Sequence, residues 1–216
     1  MPLRKIDFQQ FIERMESRLA EPLPGQNAQK LMMPAESVEQ RFDLDRDDAR
    51  LGGVLILFYE NQGQIMIPLT QRHDYKGTHG GQVSLPGGKW EEADSDLQST
   101  ALRETFEEIG IAQSKVNIIG KLSDLYIPAS NFKVSPFVGY IKENPSFTID
   151  TYEVKELIEA ELSALVDKDY HKEKNITVQQ RFRLKAPYFD VQGKVVWGAT
   201  AMMLAELITI VEEISN

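Results

Sequence analysis

With 216 residues and no cysteine, the chain can build a full core without covalent staples, and it excludes disulfides, thiolate metal sites and a cysteine nucleophile. Its 33 Asp and Glu against 24 Lys and Arg give a net charge of −9, which repels nucleic-acid backbones. Three scattered histidines (His73, His79, His171) do not make a histidine-only zinc site. The first ten residues, MPLRKIDFQQ, lack the apolar core of a signal peptide, and the longest apolar run, near Val54–Tyr59, is far short of a membrane span. A cytoplasmic protein without membrane contact is therefore expected.

In chain order, residues 7–20 predict a helix. Phe8, Phe11, Ile12, Met15 and Leu19 recur at helical spacing, and Asp7 with Gln10 suits a capping box. Pro22, Pro24, Gly25 and Pro34 break the pattern, so 21–50 reads as an extended polar connection. Residues 1–48 are expected to pack on the core as an N-terminal helix and connection, with one domain spanning 49–216. GGVLILFYE and QIMIPLT flank the Asn61–Gly63 turn and predict a hairpin. Residues 72–81 form a polar loop, and QVSLPGG predicts a short strand entering a tight turn. A helix over 96–109 follows, then strands over 115–126 and 132–141, a helix near 153–159, and strands at 177–185 and 194–197. The last segment, GATAMMLAELITIVEEI, predicts a helix with an apolar stripe at Ala201, Leu204, Ala205 and Ile208. The order β-β-β-α-β-β-α-β-β-α predicts an α+β protein, an α/β/α sandwich around a mixed sheet.

The helix at 96–109 carries the chemistry. Ser95 is the expected N-cap, Gln98 sits at the capping-box position, and Gly110 suits the C-terminal cap. Leu97, Ala101, Leu102, Thr105, Phe106 and Ile109 fall on one arc, the expected buried face. Glu104, Glu107 and Glu108 fall on a neighbouring arc. Like charges three or four residues apart on a helix cost a few tenths of a kcal/mol per pair, and the C-terminal half of a helix disfavours anions. A divalent cation reverses that sign, because hard cations take carboxylate oxygens. A solvated acidic face is the commoner explanation of such a run, and the residues alone leave both open. Pro86-Gly87-Gly88 at the end of a strand frees the backbone for a close approach to a ligand, or makes an ordinary turn.

Together these segments resemble the Nudix hydrolase superfamily, whose box reads G-x5-E-x7-R-E-U-x-E-E-x-G-U with U a bulky aliphatic residue. Arg103-Glu104-Thr105-Phe106-Glu107-Glu108-Ile109-Gly110-Ile111 matches its second half, with Thr105 in the aliphatic place. Upstream, Asp94 fills the acidic position, with one extra residue before Arg103. Gly87-Gly88-Lys89-Trp90-Glu91-Glu92-Ala93-Asp94 is similar to the coenzyme A pyrophosphatase branch. So are Leu69-Thr70-Gln71-Arg72 and Gly81-Gln82-Val83-Ser84-Leu85-Pro86-Gly87-Gly88, at that branch's spacing. Pro68, His73, Gly77 and Leu85 differ from the branch pattern. Residues 130–141 and 196–204 resemble the branch too, so the likeness covers roughly residues 50–205.

The resemblance implies a Nudix fold with an added N-terminal helix. It implies a divalent-metal-dependent hydrolase, using Mg²⁺ or Mn²⁺, that cleaves the pyrophosphate bond of coenzyme A or a derivative. The products would be 3′,5′-ADP and 4′-phosphopantetheine or its acyl form. The partner is a small nucleotide substrate, and a homodimer is compatible. Glu104 and Glu108 would be metal ligands, and Glu107 a ligand or the base that orients water. Arg103 would orient a box glutamate through a salt bridge. Arg72 and Lys76 are candidate phosphate contacts, with Lys89 behind them. Gly87 and Gly88 would bring backbone to the substrate or the metal. His79 is a substrate contact, a proton carrier or plain scaffolding, and the role of Asp94 is left open by the spacing. Two alternatives stand: another nucleoside diphosphate derivative as substrate (a nucleotide sugar, a dinucleotide polyphosphate, a nucleoside triphosphate), or a Nudix-fold module that only binds. Such modules typically lose box carboxylates, and this chain keeps them.

Overall fold

The computed structural model describes residues 7–34, 47–74, 80–178 and 182–215. Helix α1, Phe8–Leu19, begins where the sequence places it: the Asp7 carboxylate accepts from the Gln9 and Gln10 amides, and Phe11, Ile12, Met15 and Leu19 are buried. The connection that follows is less extended than expected. Gly25, at φ 56°, opens a helical turn α2, Gln26–Gln29, which runs into a 3-10 turn at Lys30–Met32. Residues 35–46 of that connection lie outside the described residues.

Strand β1, Arg50–Asn61, turns through Gln62 (φ 51°) and Gly63 (φ 76°) into β2, Gln64–Arg72. Two consecutive positive φ values are what a two-residue hairpin turn requires. Then come β3, Val83–Ser84, and β4, Gly87–Lys89; helix α3, Leu97–Ile109; and β5, Asn117–Lys121, β6, Leu125–Ile127, and β7, Phe132–Tyr140. Next are β8, Val154–Glu161; a short α4, Leu162–Val166; β9, His171–Val178; β10, Phe182–Val191; β11, Lys194–Trp197; and α5, Gly198–Ser215. The central sheet has eight strands along the path β3-β2-β1-β7-β5, with β4 on β1, β6 on β7 and β8 on β2. It is mixed, as expected: β1 and β7 run parallel and the other described pairings are antiparallel. The strands β9–β11 form a separate antiparallel sheet.

Alternation along β1 sorts the core into two faces. Leu55, Leu57 and Tyr59 pack with Ala101 and Ile109 of α3. Ile56 and Phe58 face the other way, onto α1 and α5, and the Phe58 ring meets Phe11 edge-on at 5.1 Å. Helix, sheet and helices thus form three layers of an α+β protein. The last helix departs from its expected stripe. Met202, Met203, Leu207, Ile210 and Val211 are buried along with Ala201, Leu204, Ala205 and Ile208, because α1, α2, α4 and β10 surround it. No helix among the described residues is long and apolar enough to cross a membrane.

Three expectations fail. The helix near 153–159 is strand β8, paired antiparallel along β2 from Met66↔Glu161 to Arg72↔Val154. Its glutamates and Lys155 favour a helix locally, but Val154, Ile158 and Ala160 are buried on a sheet edge that would otherwise stand open, and tertiary pairing overrides propensity. The strand over 177–185 is divided between β9 and β10, two arms of one hairpin. The strand over 115–126 is a 3-10 turn at Gln113–Lys115 followed by β5 and β6, both paired with β7.

A buried polar node fastens the N-terminal segment. Glu206 of α5 is fully buried and accepts from Gln29 Nε2 (2.9 Å), the Gly25 amide (3.1 Å), the Ser123 amide (3.3 Å) and Ser123 Oγ (2.7 Å). Glu206→Ala strands the buried Gln29 amide and unties the half-buried Gly25 and Ser123 donors. It is expected to cost about 3 kcal/mol of unfolding free energy, read from the urea midpoint at constant slope.

Candidate active site

The helix of the acidic cluster starts one residue later than expected. Asp96, in extended conformation, is the N-cap of α3 and accepts from the Ser99 amide at 2.7 Å, while Ser95 Oγ pairs with Ser99 Oγ. Gly110 closes the helix in the left-handed region, with its amide bonded to the Phe106 carbonyl. The buried arc is also rotated from the expected one. Thr100, Ala101, Thr105, Glu108 and Ile109 are buried, whereas Phe106 is 52% exposed. Glu108 follows Ala101 by seven residues, so it lies within about 20° of it around the helix. A carboxylate is thereby carried onto the inner face.

Glycines let the helix come that close. A Cβ on Gly53 of β1 would lie 2.2 Å from the Leu97 carbonyl oxygen, and one on Gly88 would lie 2.4–2.6 Å from the Glu104 carboxylate. The backbone of β4 therefore runs directly against Glu104. The Gly87 amide, at φ 144°, donates to Glu108 Oε2 at 3.2 Å.

Three carboxylates converge here: Glu104, Glu108 and Glu153 each offer an oxygen within 4.8 Å of the other two. Glu108 is 2% exposed, and burial pushes its carboxyl up to about 7 against the pull of Arg72. Burial also raises Glu104. Arg72 Nη2 stands 3.8 Å from Glu108 Oε1. The Gly87 amide, the Arg72 guanidinium at ion-pair distance and one Arg103 hydrogen bond to Glu104 leave this trio of carboxylates with excess negative charge. An all-oxygen donor set of that charge fits a hard divalent cation.

Arg103 is the organiser of the surrounding charges. Its Nε and Nη2 donate to the two Asp94 oxygens, both at 2.9 Å, Nη1 to Glu104 Oε1 (3.0 Å) and Glu107 Oε2 (2.9 Å), and Nη2 also to the Lys89 carbonyl (3.1 Å). Asp94 further accepts from Thr100 Oγ1 at 2.8 Å and from the Glu91 amide at 3.1 Å. The guanidinium holds the Asp94 carboxyl well below the usual carboxylate range. Asp94 thus lies among partners on Arg103 and not in the converging trio.

Of the residues expected from sequence, Glu104, Glu108, Arg72, Gly87 and Gly88 come together. Glu107 is half-exposed and turned toward Arg103, outside the trio. The Lys89 side chain is exposed and only its carbonyl takes part. Trp90 Nε1 donates to the Asp94 carbonyl at 3.2 Å and pins the turn. Lys76 and His79 lie outside the described residues. Glu153 was missed. It precedes β8 in a turn tied to the end of α3 by the Thr148 amide on the Ile109 carbonyl and the Asp150 amide on the Glu108 carbonyl, both 3.0 Å. No spacing in the sequence announces that return, and 153–159 reads locally as helix.

The sequence profile described as the NUDIX domain matches residues 49–169. The chain belongs to the Nudix family. The Nudix relative "Nudix hydrolase 15, mitochondrial" of Arabidopsis thaliana is 31% identical over 179 residues, which cover 79% of this chain and 62% of the relative. An "Uncharacterized Nudix hydrolase NudL" of Yersinia pestis is 37% identical over 141 residues, covering 64% of this chain and 69% of the relative. A solved MutT/nudix family protein from Enterococcus faecalis aligns with a TM-score of 0.49 at 18% identity, over 77% of this chain and 61% of that one. The Nudix match takes in β1 through β8 and α3 with its glutamates. The hairpin β9–β10, β11 and α5 lie beyond it.

Proposed function

We propose that the protein is a divalent-metal-dependent hydrolase of a phosphoric anhydride, and that its substrate is coenzyme A or an acyl derivative, cleaved to 3′,5′-ADP and 4′-phosphopantetheine. The observation that carries the hydrolase reading is the convergence of Glu104, Glu108 and Glu153 within 4.8 Å beside Arg72. The narrower substrate rests on the Arg72 segment and the Gly87–Asp94 segment, which resemble the coenzyme A branch. Glu104, Glu108 and Glu153 would hold Mg²⁺ or Mn²⁺. Such an ion, when bound, neutralises diphosphate oxygens and acidifies a water for in-line attack.

The remaining parts follow from the chain's own groups. The Gly87 amide fixes the rotamer of Glu108, and Arg103 fixes Glu104 by a bond to one of its oxygens. Arg72, a third exposed, presents the planar fork suited to a phosphate. Glu153 is exposed at the edge of the trio, where its carboxylate can take a proton from an attacking water; Glu107 is the other candidate base. A cytoplasmic location and a homodimer go with this reading as expectations from the sequence.

The test is a substrate panel in Mg²⁺ and in Mn²⁺ with the products identified. Coenzyme A and its acyl esters should give 3′,5′-ADP. If they are untouched while a nucleotide sugar or dinucleotide polyphosphate is cleaved, the branch is wrong and the hydrolase stands. No release from any substrate would make this a binding module. Within the panel, Arg72→Ala should raise the KM for coenzyme A more than that for its dephospho form.

A further inference from the structure

Strands β2 and β8 pair in strict register as far as Gln71↔Glu156, and then the register slips so that Arg72 pairs with Val154. Lys155 is the residue left over. An extra residue of this kind bends its strand and re-aims the side chains around it, at the cost of ladder hydrogen bonds. The slip falls between Gln71 and Arg72 on β2 and at Lys155 on β8, directly before Arg72 and two residues after Glu153, the two side chains that must reach Glu108. Four residues join the two strands at the slip and just beyond it. Directly after Arg72, His73 donates from Nε2 to the Thr151 carbonyl at 2.9 Å, and Asp74 Oδ2 accepts from Lys155 Nζ at 2.6 Å. Thr151 lies two residues before Glu153 and Lys155 two after it.

The seat of Asp74 is tight. The Gly81 amide bonds to the His73 carbonyl, and a Cβ on Gly81 would fall 2.5 Å from Asp74 Oδ1. The Asp74–Lys155 pair is exposed, and such pairs contribute about 0–1 kcal/mol to folding. Global stability is therefore a weak reason for it. Geometry is a better one, since the turn carrying Glu153 hangs from α3 through the Thr148 and Asp150 amides and from the core through Phe147 and Ile149, and neither tie reaches the Arg72 end of β2.

We propose that His73 with Thr151 and Asp74 with Lys155 form a clasp at the end of the slipped register that sets the separation of Arg72 and Glu153 around Glu108. These are positioning residues, and the inference rests on the hydrolase reading above. The clasp is electrically neutral in its ion pair, so it fixes geometry without adding to the charge of the carboxylate trio.

The test compares the full chain with His73→Ala, Asp74→Asn, Lys155→Met and the exchanged double variant Asp74→Lys with Lys155→Asp. Three quantities are read: the melting temperature without metal, the Mn²⁺ concentration that gives half the maximal thermal shift, and kcat with KM. Each single variant should lose about 10-fold in kcat or in the Mn²⁺ midpoint, the usual size of an effect on a group that orients a metal ligand. The metal-free melting temperature should stay within about 2 °C, given the small worth of exposed pairs. The exchanged pair should recover most of the loss. Single variants with wild-type kcat and midpoint overturn the clasp, as does a loss that follows the metal-free melting temperature and is not restored by the exchange. A wild-type protein that hydrolyses nothing on the panel would sink the hydrolase reading alone, because the Mn²⁺ midpoints still report on the clasp.

Discussion

Glu108→Gln is expected to lower kcat by about a hundred- to a thousand-fold while leaving the metal-free protein at least as stable as wild type. The two effects have one cause. Glu108 is buried on α3's inner face, and burial works against its charge. The amide keeps the shape and keeps an oxygen for the Gly87 N–H, so packing and that hydrogen bond survive. What is removed is a carboxylate that the folded chain alone does not compensate, and removing it relieves a strain on folding. An ion bound by the trio compensates it, so the same substitution should abolish most of the thermal shift given by Mg²⁺ or Mn²⁺, which in wild type arises by mass action. Glu107→Gln is the comparison for metal binding: its side chain is half-exposed and outside the trio, so the thermal shift given by the metal should be kept. Melting curves with and without metal, beside steady-state rates, check both variants. A Glu108→Gln enzyme that turns over normally would mean that the converging glutamates are not the centre of the reaction.

The legible and illegible parts of this site differ for a physical reason. The glutamates of α3 can be read because helical spacing is local: Ala101 and Glu108, seven apart, must share a face, and Gly110 must end the helix. Gly88 is read in part, from the Pro86-Gly87-Gly88 turn that frees the backbone for a close approach, whereas Gly53, which lets α3 lie on β1, has no such local signal. The rotation of α3 that exposes Phe106 follows from that same spacing, since Phe106 lies about 140° around the helix from Ala101 and apolar character alone does not carry it inside. Glu153 is a different case. It reaches the site because β8 crosses back to pair with β2 and because two amides of its turn cap carbonyls of α3, and neither fact has a local signature. The same long-range pairing turned the expected helix at 153–159 into a strand. Hydrogen bonds supplied by a distant partner decided there, and propensity did not.

Arg103→Ala should be the most destabilising change near the site, at about 3–5 kcal/mol, because it leaves Asp94 as a buried charge without its partner. The guanidinium spans Asp94, Glu104, Glu107 and the Lys89 carbonyl at once, with donors set in a plane. Arg103→Lys offers one ammonium in place of that fork and should recover only part of the loss. Acid titration isolates the Asp94 share. Arg103 holds the folded Asp94 carboxyl below its unfolded value of 3.8, so the stability it contributes is present above about pH 4 and disappears as the pH falls through the lower folded value. The gap between wild type and Arg103→Ala should therefore be widest near neutrality and narrow progressively below about pH 4, as first the unfolded chain and then the folded Asp94 take up the proton. Urea unfolding of both proteins across that range measures it. A gap that stays constant with pH would mean that Arg103 acts through its apolar stem and the Lys89 carbonyl, and that the Asp94 carboxylate contributes little to holding α3 in place.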